Sequence, residues 1–340
     1  MKKTSLFFII LLICMISVIP AAGATNWEKM SIPNYNNITA FDIINSDDGW
    51  AVGNNGTILH WDGNNWNPVE SPTNADFKDI DMVSSNEGYA IVAEDIAVGP
   101  YSIYRWNGNN WTNLTAINGI ITSMDMVSST DGWIVGLSGD IFHWNGTNWN
   151  PIESPINYPL ESVNMVSSTD GWAVGQRAVI IRWNGTNWNL FKDPEFSGAP
   201  WLYSVDMVNQ NDGWAVGSGG DIIRWNGISW EYTQSPVPPN KHLFSVDMIN
   251  STNGWAVGSD GVILHWNGNS WNNVTSPTTA WLNSVEMLSS TEVWILGADG
   301  IYRLQDEDKT VNIPLEIIII ISTVLAVAIL ASLLLRKRIS

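Results

Sequence analysis

Cysteine is all but missing from this chain of 340 residues: the single copy, Cys14, stands inside an apolar N-terminal run. No disulfide can form within the chain, and the rest of it can supply neither a thiolate nucleophile nor a cysteine-based zinc site. Histidine is scarce too, with four copies. Positive charge is short: 15 Lys and Arg stand against 33 Asp and Glu, for a formal charge of −18. Lys2, Lys3, Arg336, Lys337 and Arg338 lie at the two ends, so the middle of the chain is more acidic still. Such a surface repels nucleic acid and anionic lipid and suits solubility or a basic partner. Long apolar runs are missing everywhere except at the ends.

Those ends read as addresses rather than as fold. Lys2 and Lys3, the apolar stretch Leu6 to Ile19 and the small residues Ala22-Gly23-Ala24 have the layout of a signal peptide over 1–24. An uncleaved anchor is the alternative. Bulky Ile13 before Cys14 argues against a lipoprotein site. Residues 317–335 form an uncharged apolar run of transmembrane length, preceded by a juxtamembrane linker, 306–316, and followed by a basic tail, 336–340. Positive charge just past a span favours the cytoplasmic side. The expectation is a single-pass cell-membrane protein with its N-terminal domain outside and its C-terminus in the cytoplasm. A cleaved sorting tail is the alternative. Sequons at Asn37, Asn55, Asn110, Asn113, Asn145, Asn184, Asn250 and Asn273 make the outer part a candidate glycoprotein.

Between the ends, residues 25–305 repeat. The clearest unit reads SVDMINSTNGWAVGSDGVILHWNGNSWNNVTSP, Ser245 to Pro277. Its GWAVG aromatic recurs at Trp50, Tyr89, Trp133, Trp172, Trp214, Trp255 and Trp294, at spacings of 39, 44, 39, 42, 41 and 39. Each unit carries four short strand signals: SVDMV, GWAVG, GVILHW and NWNNV. Asp-Gly before GWAVG and Asn-Gly before the last strand read as hairpin turns, because both residues tolerate positive φ. Four antiparallel strands in about 40 residues make one propeller blade. The last unit stops after three strands, at Leu304, while the chain opens on an orphan fourth strand, NWEKMSIP from Asn26. Together they complete a blade and close the ring, which removes exposed edges. The fold class is therefore all-β: a seven-bladed β-propeller of four-stranded blades closed by its N-terminal strand, plus one C-terminal transmembrane helix. Nineteen of the 21 Trp fall at three repeat positions, as core and inter-blade packing would require.

At GWAVG and the following I-L-x-W-x-G-x-x-W the chain resembles the photosystem II assembly-factor-like propellers, within the group carrying BNR or Asp-box repeats. Its membrane-anchored, Asn-rich form resembles the prokaryotic surface propellers found in bacteria and, above all, archaea. Only Asp62 keeps the acid of the family turn; Asn107, Asn145, Asn184, Asn226 and Asn267 replace it. The resemblance implies a non-enzymatic protein that helps assemble membrane complexes. The arginine triad and Tyr/Glu pair of the related sialidases cannot be placed here.

Three sets of residues are candidates for chemistry. First-strand acids, Asp42, Asp81, Asp125, Asp206, Asp247 and Glu286, with Asn164 in the fourth blade, should ring the channel, either as structural hydrogen bonds or as a throat for a cation or basic peptide. Third-strand bases, His60, Arg105, His143, Arg182, Arg224, His265 and Arg303, could reach those acids across a small second-strand Ala. No two adjacent blades offer His, so no metal or cofactor is expected. Breaks in the repeat mark the loop face. Trp201 and Trp281 stand where other blades have Asn37, Asp76, Ile120, Pro159 and His242. Blade 2 carries an insert, Ala93 to Ser102, with Tyr101, and blade 4 has Gln176-Arg177 in place of a Gly-rich turn. Ligand-contact candidates are thus Trp201, Trp281, His242, Gln176, Arg177 and Tyr101. No catalytic set is evident. The expected function is a monomeric, non-catalytic binding or scaffold propeller that engages a protein or glycan. An extracytoplasmic assembly factor is the first alternative and a glycan-active hydrolase or lyase the second.

Overall fold

In a computed structural model of the protein, which describes residues 26–33, 37–94, 100–191 and 200–304, the chain forms seven four-stranded antiparallel sheets. Six are hairpin-connected in strict chain order. Blade 1 is typical, with strands Ile38–Asn45, Asp48–Gly53, Ile58–Trp61 and Trp66–Pro68. The seventh sheet takes its fourth strand from the other end of the chain. Trp27–Lys29 pairs antiparallel with Gly300–Leu304, Trp27 opposite Leu304. The ring closure expected from the orphan NWEKM is thus what the chain does. Among the described residues no helix is long and apolar enough to cross a membrane. The leader at 1–24, the linker at 306–316, the span at 317–335 and the tail at 336–340 lie outside the described residues.

The first strands stand innermost. Each contacts the first strands of the blades on either side, and that of blade 1 meets that of blade 7 (Leu282–Met287). Apolar residues gather between blades rather than within them. Ile38, Phe41, Leu59, Trp61 and Trp66 of blade 1 pack with Trp294, Leu296 and Ile301 of blade 7, and the other interfaces repeat the plan. Each third-strand Trp lies against the second-strand aromatic of the preceding blade: Trp225 is 4.8 Å from Trp172 and Trp266 is 4.7 Å from Trp214. Its indole N–H donates to a carbonyl in its own first hairpin, as Trp61 does to Ser46 at 2.9 Å. The second- and fourth-strand indoles meet edge to face instead. Trp172 and Trp230 cross at 88°, which sets a positive ring edge on a negative ring face.

One reading of the turns needs correction. The Gly of Asp-Gly-Trp is not a turn residue. Gly132 lies within the second strand, opposite Trp144, and has no positive φ. Its small size is what matters: a Cβ there would sit 2.3 Å from Sδ of Met126 on the first strand. Positive φ belongs instead to the glycine of each W-x-G turn between third and fourth strands, such as Gly146 at φ 86°, and to glycines of other loops, such as Gly56 and Gly261.

Candidate functional site

The channel acids form a closed chain of hydrogen bonds between blades. The Met82 N–H of blade 2 donates to Asp42 of blade 1, the Met126 N–H to Asp81 at 2.6 Å, and the Met165 N–H to Asp125. Asn164 does the same for Met207 at 3.0 Å, Asp206 for Met248 at 2.8 Å, and Asp247 for Met287. Glu286 of blade 7 returns to the Ile43 N–H of blade 1 at 2.8 Å and shuts the ring. A second tier runs beside it through Ser123, Ser162, Ser204 and Ser245, each accepting from the next blade. Burial among like charges holds these carboxyls protonated to unusually high pH. Desolvation raises Asp42 and Asp247 to about 6 and Asp125 to about 7. It also raises Asp81, Asp206 and Glu286 well above the carboxylate range, with help from the neighbouring charges of Asp42, Asp247 and Asp42 respectively.

The third-strand bases do not reach these acids. Register places the second-strand Trp, not the Ala, in the row between them: Asp42 faces Trp50, and Trp50 faces His60. The indole fills the space an ion pair would have to cross. Each base instead lies on that ring and bonds the residue that opens its own second strand. His60 stacks 4.6 Å from Trp50 and meets Asp48 at 2.8 Å. Arg182 and Arg224 fork onto Asp170 and Asp212 while lying 4.9 and 5.0 Å above Trp172 and Trp214. Arg105 takes Glu87, Arg303 takes Glu292, and His265 takes Asn253. These are packing devices of the blade interior.

Departures from the repeat gather at one mouth of the channel. Just ahead of each first strand one residue holds the loop that leaves the second strand: the Ser218 N–H donates to the Trp201 carbonyl, Ser259 to His242, and Ala298 to Trp281. The equivalents in three other blades are Asn37, Ile120 and Pro159. Aromatic rings therefore occupy this position in blades 5, 6 and 7 in succession. Two residues further on, every first strand carries a β-bulge, and the bulged residue is Thr39, Lys78, Thr122, Glu161, Tyr203, Phe244 or Asn283. Bulges re-aim side chains. In blades 5 and 6 they deliver Tyr203 and Phe244 to the same surface. The result is a continuous ribbon: Trp201 stacks on Tyr203 at 6.0 Å, Tyr203 meets Phe244 at 5.7 Å, and Phe244 meets Trp281 at 5.5 Å. His242 packs beside Phe244 at 6.3 Å and accepts the Gly219 N–H on Nδ1. Trp201 is 37% and Trp281 54% exposed. Glu161 anchors one end by accepting the Trp201 indole N–H at 2.9 Å; Asp260, paired with Lys241, stands at the other.

Across the same mouth lies a cavity of about 350 Å³ between blades 7, 1, 2 and 3, lined by Thr39, Asp42, Lys78, Asp79, Asp81 and Glu286 among others. Asp79 breaks the repeat. Blades 3 to 7 have Ser123, Ser162, Ser204, Ser245 and Ser284 where blade 2 has Asp79. Burial raises Asp79 to about 7.

No protein-family model and no curated protein matches the chain. Solved structures do match. YCF48 from Cyanidioschyzon merolae superposes with a TM-score of 0.66 at 18% identity, covering 82% of this chain and 98% of that one. YCF48 bound to D1 peptide gives 0.69 at 18% identity, covering 84% and 97%. Virginiamycin B lyase from Staphylococcus aureus gives 0.70 at 14% identity, covering 82% and 98%. The propeller fold is shared. At such identities the likeness speaks for the fold alone, and that fold serves both a peptide-bound protein and a lyase.

The structure brings together three of the six ligand-contact candidates, Trp201, His242 and Trp281. Gln176 and Arg177 lie in the loop after the second strand of blade 4, where the Arg177 guanidinium sits 4.9 Å above the Tyr158 ring. Tyr101 is a correction: at 2% exposed it opens the third strand, opposite Ala93, inside the core between blades 2 and 3. The insert lengthens the strands at its two ends, so Tyr101 is paired rather than looped out, while residues 95–99 lie outside the described residues. Sequence reasoning missed Tyr203 and Phe244, which a bulge hides from simple strand alternation. Among the described residues no group of three or more His, Cys, Asp or Glu is placed to hold a metal.

Proposed function

We propose that this protein is a non-catalytic binding propeller, tethered outside the cell membrane, that captures a segment of a partner protein on its aromatic mouth. The observation that carries the reading is the ribbon itself. Five aromatic rings run across three adjoining blades at positions where the other blades have small, polar or aliphatic residues. The repeat does not require them, and exposed Trp and Tyr are the side chains that dominate binding energy at interfaces. The channel carboxyls, by contrast, already have work as inter-blade acceptors, so they do not by themselves call for a substrate. The peptide-bound YCF48 structure supports a protein segment as the ligand class. The leader and the apolar run at 317–335 support an outer-membrane-face location, in which the ring would be held near whatever complex it serves. A role in assembling such a complex is the natural extension of this reading.

A membrane-extract pull-down run beside a glycan array tests it, using the wild-type protein and a Trp201→Ala/Trp281→Ala variant. A protein that is retained by the wild type and lost by the folded variant is the expected result. Retention unchanged in the variant would make the two Trp mere caps of their blades. Glycans bound through both Trp would replace the protein ligand with a sugar.

A further inference from the structure

Resting on that reading, we propose that the captured segment carries a lysine or arginine, which enters the cavity beside Asp79 while its apolar neighbours lie on the ribbon. Three features converge on a cationic occupant. The ribbon and the cavity share blade 7: Trp281 leads into the strand that carries Ser284 and Glu286 of the cavity wall. They also share a level in the ring, because Thr39 and Lys78 of the cavity are the bulge residues equivalent to Phe244 and Tyr203 of the ribbon. A segment lying on the aromatic rings and continuing across the mouth therefore meets the cavity next.

The ionisable groups there are nearly all acids, and a cation beside them would draw them into their charged form. Asp42, Asp79, Asp81 and Glu286 line the cavity, and Lys78, the cation among its lining residues, is drawn to Asp76 at 4.0 Å. The ring accounts for Asp42, Asp81 and Glu286, since each has an equivalent in other blades. It does not account for Asp79. A serine at that position accepts the next blade's N–H in blades 3 to 6, and Asp79 accepts the Met124 N–H in the same way at 2.8 Å. That bond needs only an oxygen; the other Asp79 oxygen accepts the Ile80 N–H at 3.0 Å, a bond the serine blades do without, so the acidity is surplus to the inter-blade contact. A volume of about 350 Å³ admits a lysine or arginine side chain with water around it. The aromatic faces beside the mouth favour the same ligand, because ring quadrupoles attract a passing cation.

The natural substitution for the test is Asp79→Ser, which restores the residue of blades 3 to 7 and keeps the acceptor for Met124. The full chain in detergent is exposed to an array of random short peptides. Bound sequences are resynthesised with each Lys or Arg replaced by Gln. We expect bound peptides rich in a cation next to aromatic or aliphatic residues, and losses on the order of tenfold when the cation becomes Gln. Asp79→Ser should erase that cation preference while retaining the apolar part of binding; Trp201→Ala/Trp281→Ala should weaken every peptide. Near-ultraviolet circular dichroism shows that each variant folds. Peptides that bind through the two Trp but carry no cation preference, or that keep it in Asp79→Ser, overturn the cationic occupant and leave the protein-binding mouth standing. An array on which nothing binds above the level of the double Trp variant overturns both.

Discussion

Asp125→Asn should make the propeller more stable at pH 8 and leave it unchanged at pH 4. Asp125 accepts the Met165 N–H from the next blade, and burial lifts its carboxyl from 3.8 to about 7. A carboxyl whose folded pKa is raised prefers its protonated form in the native state. Its contribution to stability is complete below about 4 and is lost as pH climbs through 7, the reverse of ordinary acid denaturation. Three pKa units correspond to a ceiling of about 4 kcal/mol. Asp125 is only partly buried, so solvent screening brings the figure down to about 1–2 kcal/mol. Asn keeps the acceptor and cannot ionise. Blade 4 already uses that solution, with Asn164 accepting from Met207 at 3.0 Å. The assay is urea unfolding of residues 25–304, followed by tryptophan fluorescence from pH 4 to pH 8. Asp125→Ala is the control: it orphans the Met165 N–H and should cost about 1–3 kcal/mol at pH 4, a loss partly offset at pH 8, where it too removes the buried charge. If Asp125→Asn is less stable than the wild type at pH 8, the ionised carboxylate is the better acceptor and the reasoning about buried like charges fails.

Other expectations follow from the same packing. Trp27→Ala removes the aromatic contact that fastens the closing strand, 5.6 Å from Trp255, and should lower stability by about 3 kcal/mol in the same urea assay, with the N-terminal strand losing amide protection first. Gly132→Ala drives a methyl toward Met126 Sδ; the flexible thioether can move, so the cost should be about 1–3 kcal/mol by thermal melting. Arg182→Ala breaks a two-pronged bond to Asp170 and uncovers Trp172, for about 1–2 kcal/mol. Arg182→His should recover most of that loss, because His60 and His143 already fill the position against Asp48 and Asp131.

The blade count and the closure were legible because both rest on local signals: a recurring aromatic, hairpin turns and one strand out of place. The partners of the channel acids were not legible. Each acid bonds a backbone N–H of the next blade, about forty residues ahead or, for Glu286, back at Ile43, across an interface that no local pattern describes. The pairing of the third-strand bases is legible along the hairpin rather than toward the channel. Two blades open the second strand with Glu, at Glu87 and Glu292, and those two carry Arg at the third-strand position, Arg105 and Arg303. The blade that opens with neutral Asn253 carries His265. That covariation points along the hairpin, from the second strand to the third, and not inward to the channel. The positions of Trp201 and Trp281 stood out because the repeat supplies their expected replacements. Tyr203 and Phe244 follow them by two places, but the bulge shifts them out of the alternating pattern by which a strand face is normally recognised.

A seven-fold repeat carries its own controls. When Ser occupies one position in five blades and makes the same inter-blade bond in most of them, the requirement of the fold at that position is known to be an oxygen. Whatever exceeds the requirement needs another cause. By that measure the Trp residues of the three strand positions are explained, the third-strand bases are explained, and the first-strand acids are nearly explained, since Asn164 shows that the fold asks for an acceptor and not for charge. The charge itself, repeated in six of seven blades and destabilising at neutral pH, is then the residue of the account. A cation arriving in the channel would relieve that repulsion, so the same carboxyls that weaken the empty ring would strengthen the occupied one. If the proposed cationic peptide binds, the propeller should melt at a higher temperature with it bound, by a margin that shrinks as pH falls through about 7 and 6 and the carboxyls lose their charge.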